Sequence, residues 1–256
     1  MRFASLGSGS RGNGLIVQSG STRVLLDCGF SRRDAERRLL RLKVEPSSLT
    51  GILVTHEHSD HLAGVIRLAA AYDLPVWLTA GTAAQLSTEA QAYAGLQRID
   101  SHAALAVGDL EILPFPVPHD AREPVQYRFS DGARRLAVLT DCGAPTAYVC
   151  QVLSDCQGLV LECNHDPELL AASRYPAFLK RRIAGPLGHM SNEVAAELLG
   201  KLAVDKLQHI VAAHLSEQNN RPALAVAALA GVLGCEPEWV GVAGQEEGFG
   251  WRDLLG

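Results

Sequence analysis

The chain has 256 residues, 47% of them apolar and 20% charged, with a formal net charge of −5. That supports a large buried core and excludes a disordered chain, and it argues against a protein that coats nucleic acid through overall basicity, although a local basic groove is compatible with it. No apolar run reaches the ~18 residues of a membrane span, the first residues lack the apolar core of a secretory signal, and the six cysteines show no CxxC pair, so a cytoplasmic protein with reduced thiols and no membrane partner is expected.

Residues 2 to 7 read as a short strand, followed by the turn-rich loop Gly7-Ser8-Gly9-Ser10-Arg11-Gly12-Asn13-Gly14. Its small residues could let backbone approach a ligand, but no Gly-Lys-Ser/Thr follows, so it is not a Walker loop. Two strands are predicted, at 15–17 and 24–27. Asp27 ends the second, where a carboxylate either caps a turn or steadies a metal ligand from behind. Residues 31 to 43 predict a helix with Leu39, Leu40 and Leu42 on its buried side. Its cations Arg32, Arg33, Arg37, Arg38, Arg41 and Lys43, like Lys180-Arg181-Arg182, suit either a solvated face or phosphate contact.

A buried strand at 51–55 leads to a helix over 61–70, with Asp60 near its N-terminus, where negative charge is favoured. A strand at 76–78 and a helix over 82–93 come next. Two short strands within 104–118 are split at Gly108-Asp109, and a hairpin of 125–129 with 135–140 turns at Asp131-Gly132. Strands at 159–162, 210–213 and 237–243 complete the pattern, the last closing the sheet. Helices are predicted near 167–182, 191–202 and 221–232.

The densest chemistry lies in Thr55-His56-Glu57-His58-Ser59-Asp60-His61, which holds three of the nine histidines directly after the apolar run Gly51–Val54. Imidazole and carboxylate suit zinc, manganese and iron, and such a run is too polar to bury without a cation. His119, Asp141, His165 and His214 also closely follow apolar strands. Groups at strand ends along one sheet edge make a site that distant segments share. His189 precedes a helix with Ser191 as its predicted N-cap; its imidazole suits a general acid, a phosphate ligand or a loop-fixing role. His165 suits phosphate contact, orientation of a ligand, or a plain turn beside Asp166. His102 and His209 have no supporting constellation.

In order, His56-x-His58-x-Asp60-His61, His119, Asp141 and His214 resemble the metallo-β-lactamase superfamily over nearly the whole chain. The resemblance implies one domain over residues 1–256, of α/β (α+β) class: a four-layer αββα sandwich of two mixed sheets. It implies two divalent metal ions, Zn, Mn or Fe. One would sit on His56, His58 and His119, the second on Asp60, His61 and His214, with Asp141 bridging and Asp27 behind the ligands. Two such metals ~3.5–4 Å apart lower the pKa of water to about 7, giving a bridging hydroxide as nucleophile. Asp60 and His189 are the expected catalytic residues.

Within the superfamily the chain is similar to the WalJ/YycJ-type proteins in the stretches 8–13, 26–29, 162–166, 179–183, 188–193 and 213–220. That implies a phosphodiesterase acting on nucleic acid, a DNA exonuclease foremost. Ser10, Asn13, Asn164 and His165 are the candidates for substrate contact. The alternatives are a small cyclic phosphodiesterase of PhnP type and a metal-holding binding module without turnover. Only 72 residues separate Asp141 from His214, too few for the extra domain of β-CASP enzymes. His58 stands where diiron oxidoreductases of this fold carry glutamate, which disfavours redox chemistry. The choice between monomer and homodimer stays open.

Overall fold

The apolar runs form fourteen strands in two seven-stranded sheets, in a computed structural model that describes all 256 residues. The first half of the chain runs β1 (Arg2–Gly7), β2 (Gly14–Ser19), β3 (Thr22–Leu26), α1 (Arg32–Arg41), β4 (Gly51–Leu53), α2 (Ser59–Leu62), α3 (Val65–Tyr72), β5 (Val76–Thr79), α4 (Ala80–Ala84), α5 (Thr88–Gln91) and β6 (Leu96–Ile99). Then come β7 (Leu105–Val107), β8 (Leu110–Pro116), β9 (Val125–Ser130), β10 (Arg135–Leu139), α6 (Ala147–Leu153), β11 (Gly158–Glu162), α7 (Pro167–Ala172), α8 (Ala177–Ile183) and α9 (Asn192–Leu199). The chain closes with β12 (His209–Ala213), α10 (Pro222–Leu233), β13 (Val240–Val242) and β14 (Phe249–Asp253).

The sheets are ordered β14-β1-β2-β3-β4-β5-β6 and β13-β12-β11-β10-β9-β8-β7. Each is half antiparallel and half parallel: β3 to β6 run parallel in one, and β10 to β13 in the other. The parallel strands Gly158–Glu162 and Gly51–Leu53 are buried throughout, as strands covered on both faces must be. Three apolar clusters account for the layers. One lies between the sheets, where Phe3, Val17 and Leu53 meet Tyr127, Phe129 and Val211. A second lies under α1 and α3, and a third under α6, α9 and α10. The architecture is the four-layer αββα sandwich expected.

Local differences from the sequence reading have identifiable causes. The helix expected over 61–70 is two, because Gly64 packs against the Phe30 carbonyl and donates its N–H to Cys28 O instead of continuing the first turn. The helix expected over 82–93 is broken before Ser87, whose hydroxyl caps the second piece. That expected over 167–182 is split ahead of Pro176, which excludes helical backbone at the residue before it. Residues 237–239 form a 3-10 turn, so the edge strand is only Val240–Val242. Three elements were not anticipated: β6, α6 and β14. The last crosses from the second sheet back to pair with β1.

Candidate metal centre

Every metal-ligand candidate sits at or just past the C-terminal end of a strand. His56, His58, Asp60 and His61 follow β4, His119 follows β8, Asp141 follows β10, and His214 follows β12. Three residues here, Asp27, Asp141 and His214, have left-handed backbone, with φ of 60°, 54° and 54°. That conformation costs a non-glycine residue on the order of 1–3 kcal/mol, and it persists because neighbours hold each one. Asp27 accepts from the Thr55 N–H at 2.8 Å, His214 N–H donates to Ser8 Oγ at 2.9 Å, and Cys142 N–H, next to Asp141, donates to Glu162 at 3.0 Å.

The hydrogen bonds fix which ring nitrogens face inward. His61 Nδ1 donates to Asp27 Oδ2 at 2.8 Å, so Nε2 carries the lone pair, 3.1 Å from Asp141 Oδ2. The Thr55 hydroxyl donates to Asp27 at 2.8 Å and therefore accepts from His56 Nδ1 at 3.0 Å. His119 Nδ1 donates to Gly188 O, and its Nε2 lies 3.2 Å from His58 Nδ1. His58 in turn points Nε2 at Asp120, 3.7 Å away.

The pattern fits a cation. His56 Nε2 and Asp141 Oδ2 are buried and have no hydrogen-bond partner. Leaving such groups unpaired costs about 1–3 kcal/mol each. The facing nitrogens of His58 and His119 have near enough the ligand-to-ligand spacing, about 3.3 Å, of a tetrahedral site with ~2.0–2.1 Å bonds. The donors group as His56, His58 and His119; as His56, His61 and Asp141; and as Asp60, His61 and His214, the atoms of each set lying within 4.8 Å of one another.

Beside this cluster, Glu162 closes β11 and is fully buried. Its carboxylate meets His189 Nδ1 at 2.8 Å and His214 Nδ1 at 3.2 Å. Burial opposes ionisation of Glu162, but His189 and His214 outweigh it and hold the carboxyl at about 2. Burial likewise opposes the charged form of His189, and Glu162 and Asp141 outweigh it, raising that imidazole above its ordinary value. His189 stands at the wall of an open cavity of about 420 Å³, which Asp60, Asp141 and His214 also line.

A family model described as the β-lactamase superfamily domain matches residues 22–214. The chain belongs to that superfamily. It is 35% identical to an exodeoxyribonuclease YycJ of Bacillus anthracis, over 98% of this chain and 91% of that protein. It is 33% identical to an exodeoxyribonuclease WalJ of Streptococcus pneumoniae, over 88% of this chain and 85% of that one. The crystal structure of the metallo-β-lactamase fold protein YhfI from Bacillus subtilis superposes with a TM-score of 0.75 at 17% identity, covering 98% and 99% of the two chains.

In this superfamily member the four positions expected to meet substrate separate. Ser10 lines the cavity. Asn13 is buried behind it, its amide nitrogen 3.4 Å from Asp60 Oδ2 and 3.2 Å from His61 Nε2. Asn164 is buried with its amide on the His214 carbonyl. His165 is buried and joins Ser191 through backbone. Ser8 and Asn13 of the Gly/Ser loop thus turn inward and brace the ligands, while Ser10 faces the cavity. Most cations of α1 are likewise engaged: Arg38 and Arg41 donate to Leu6 O and to the 245–247 loop, Arg37 pairs with Asp34 and Arg32 lies 3.6 Å from Glu36, leaving Arg33 exposed and unpaired. All six cysteines are free, and burial pushes Cys142 well above its ordinary value, so it offers no thiolate. Glu162 and Asp120 are the site residues the sequence reading passed over. The available signal was a carboxylate ending an otherwise apolar strand, the same signal that marked Asp27.

Proposed function

We propose that this protein is a metal-dependent phosphodiester hydrolase that shortens DNA from a chain end, with residues 1–256 acting as one catalytic domain. The observation that carries the reading is the meeting of two things at one cavity: inward-facing donors from both sheets, and His189 held 2.8 Å from a buried carboxylate. The 33–35% identity to proteins named exodeoxyribonucleases supports DNA as the substrate.

His56, His58 and His119 would hold one divalent cation, and Asp60, His61 and His214 the other, with Asp141 between them. Zn, Mn and Fe all suit this donor set. Bound there, the cations supply Lewis acidity and a water acidic enough to attack a phosphodiester at neutral pH. Asp27 and Thr55 keep the lone pairs of His61 and His56 pointed inward. Asp60, on the cavity wall, positions the attacking water as well as binding metal. His189 donates its proton to the departing oxygen, and Glu162 steadies the imidazolium until then. Ser10 is placed to meet a phosphate oxygen.

The test is to incubate purified protein, with Mn or Zn, with end-labelled single- and double-stranded DNA and RNA. Progressive shortening of DNA that Asp141→Ala abolishes is the expected result. Cyclic phosphodiesters turned over with DNA untouched would select a small-molecule enzyme. Bound metal without hydrolysis of either would leave a binding module.

A further inference from the structure

One wall of the catalytic cavity differs from the rest of the surface. It is α8 with its flanks, residues 173–187. This segment carries Arg174, Lys180, Arg181 and Arg182 and no acidic residue, in a chain of net charge −5. Alone among the longer helices, α8 has no buried residue. Core packing therefore does not account for its sequence. Its cations are also less engaged than most of those of α1, where only Arg33 is exposed and unpaired. Arg174 and Arg181 are exposed and make no ion pair or hydrogen bond, whereas Arg37, Arg38 and Arg41 are consumed by carboxylates and carbonyls.

The segment brings apolar groups to the same place. Tyr175 lines the cavity, and its hydroxyl has no partner within the chain. Phe178 is 66% exposed, one of the least covered large apolar side chains in the protein. Arg182 also lines the cavity and donates to Asp120 at 2.6 Å. Asp120 is the residue that His58 faces. Free cations beside exposed aromatic rings are the composition that grips single-stranded nucleic acid, cations on the backbone and rings on the bases.

The geometry points to α8 and its flanks as the seat for a single DNA strand entering the cavity. Tyr175 stacks on the base next to the reacting phosphate. Arg182 exchanges Asp120 for a phosphate oxygen. Arg174 and Arg181 take phosphates further along the strand. This rests on the phosphodiesterase reading above and adds to it how the polymer is held.

The experiment measures equilibrium binding of a fluorescent single-stranded phosphorothioate oligodeoxynucleotide, which resists hydrolysis, to metal-loaded protein at several salt concentrations. Arg174→Glu and Arg181→Glu are compared with Arg98→Glu, an exposed cation on edge strand β6. Each α8 variant should weaken binding about tenfold and reduce the salt slope by ~0.7, the value of one single-strand phosphate contact, while Arg98→Glu leaves both unchanged. Tyr175→Ala should weaken binding about tenfold and Tyr175→Phe should restore it, because the ring and not the hydroxyl does the stacking. Wild-type affinity and salt slope in both Arg variants would overturn the proposal, as would equal losses with Arg98→Glu. Binding that responds to the α8 variants, with unmodified DNA left intact by wild type, would strike the hydrolytic reading and leave the seat standing.

Discussion

His189 and His214 share one carboxylate, Glu162, and that contact makes opposite demands on them. His189 must keep a proton to deliver, and His214 must lose one to bind metal. His189→Ala should lower kcat on DNA by about 10²–10⁴, the usual worth of a general acid. The loss should be far smaller on bis-p-nitrophenyl phosphate, whose leaving group departs without protonation; equal losses on both substrates would assign His189 a structural role. For His214, burial lowers the imidazole pKa, but Asp141, Asp60 and Glu162 outweigh it, and in chelator-stripped protein the value is about 10 against an ordinary 6.5. A raised folded-state pKa stabilises fully below the unfolded value of 6.5 and is lost as pH climbs through about 10. Thermal stability of stripped protein should therefore fall over that window. Metal affinity should rise over the same window, since the departing proton makes room for the cation. Melting curves and metal titrations across the range check both signs.

At the scale of the element, the short loops matter more than the helices. Gly29 packs so closely on the Asp60 carbonyl that a Cβ there would collide with it. The same loops are tied by Asn13 N–H to Asp60 O at 2.8 Å and Cys28 N–H to His61 O at 2.8 Å. Gly29→Ala should destabilise the fold by about 1–3 kcal/mol, the usual cost of overpacking. It should also weaken metal binding, because Asp60 and His61 move with their backbone; unchanged melting and unchanged affinity would refute the close contact. The same scale explains what could be read from residues alone. A histidine or aspartate that ends an apolar run is too polar to pack and stands out, which is why His56, Asp141 and His214 were visible. That Asn13 and Asn164 are buried behind the ligands was not legible, because an amide at a turn looks the same whether it faces solvent or a neighbouring carbonyl. Strand β14 was missed because its alternation is short, with only Phe249 and Trp251 apolar, and its partner β1 lies at the other end of the chain.

Across the whole molecule, the two sheets are joined by specific bonds as well as apolar packing. Tyr127 Oη donates to Val54 O at 2.8 Å, and Val125 N–H to Thr55 O at 3.0 Å. The return of the chain to β14 is secured by Arg38, which is 4% exposed and donates to Leu6 O, Gln245 O and Glu246 O. Methionine fills similar volume but donates nothing, so Gln245 O loses its guanidinium donor and Leu6 O and Glu246 O keep only Arg41. Arg38→Met should therefore cost on the order of 3 kcal/mol in urea unfolding. A change below ~0.5 kcal/mol, the size of an ordinary surface substitution, would mean that the 245–247 loop finds other partners.

The donors come from both sheets, from the loop after β4 on one side of the interface and from those after β8, β10 and β12 on the other. Cations bound to them would work as rivets through the joint between the halves. Since a ligand held only by the folded form adds its binding energy to folding, metal starvation would do more than silence the protein. It would loosen the joint, and proteases would clear starved copies sooner than loaded ones.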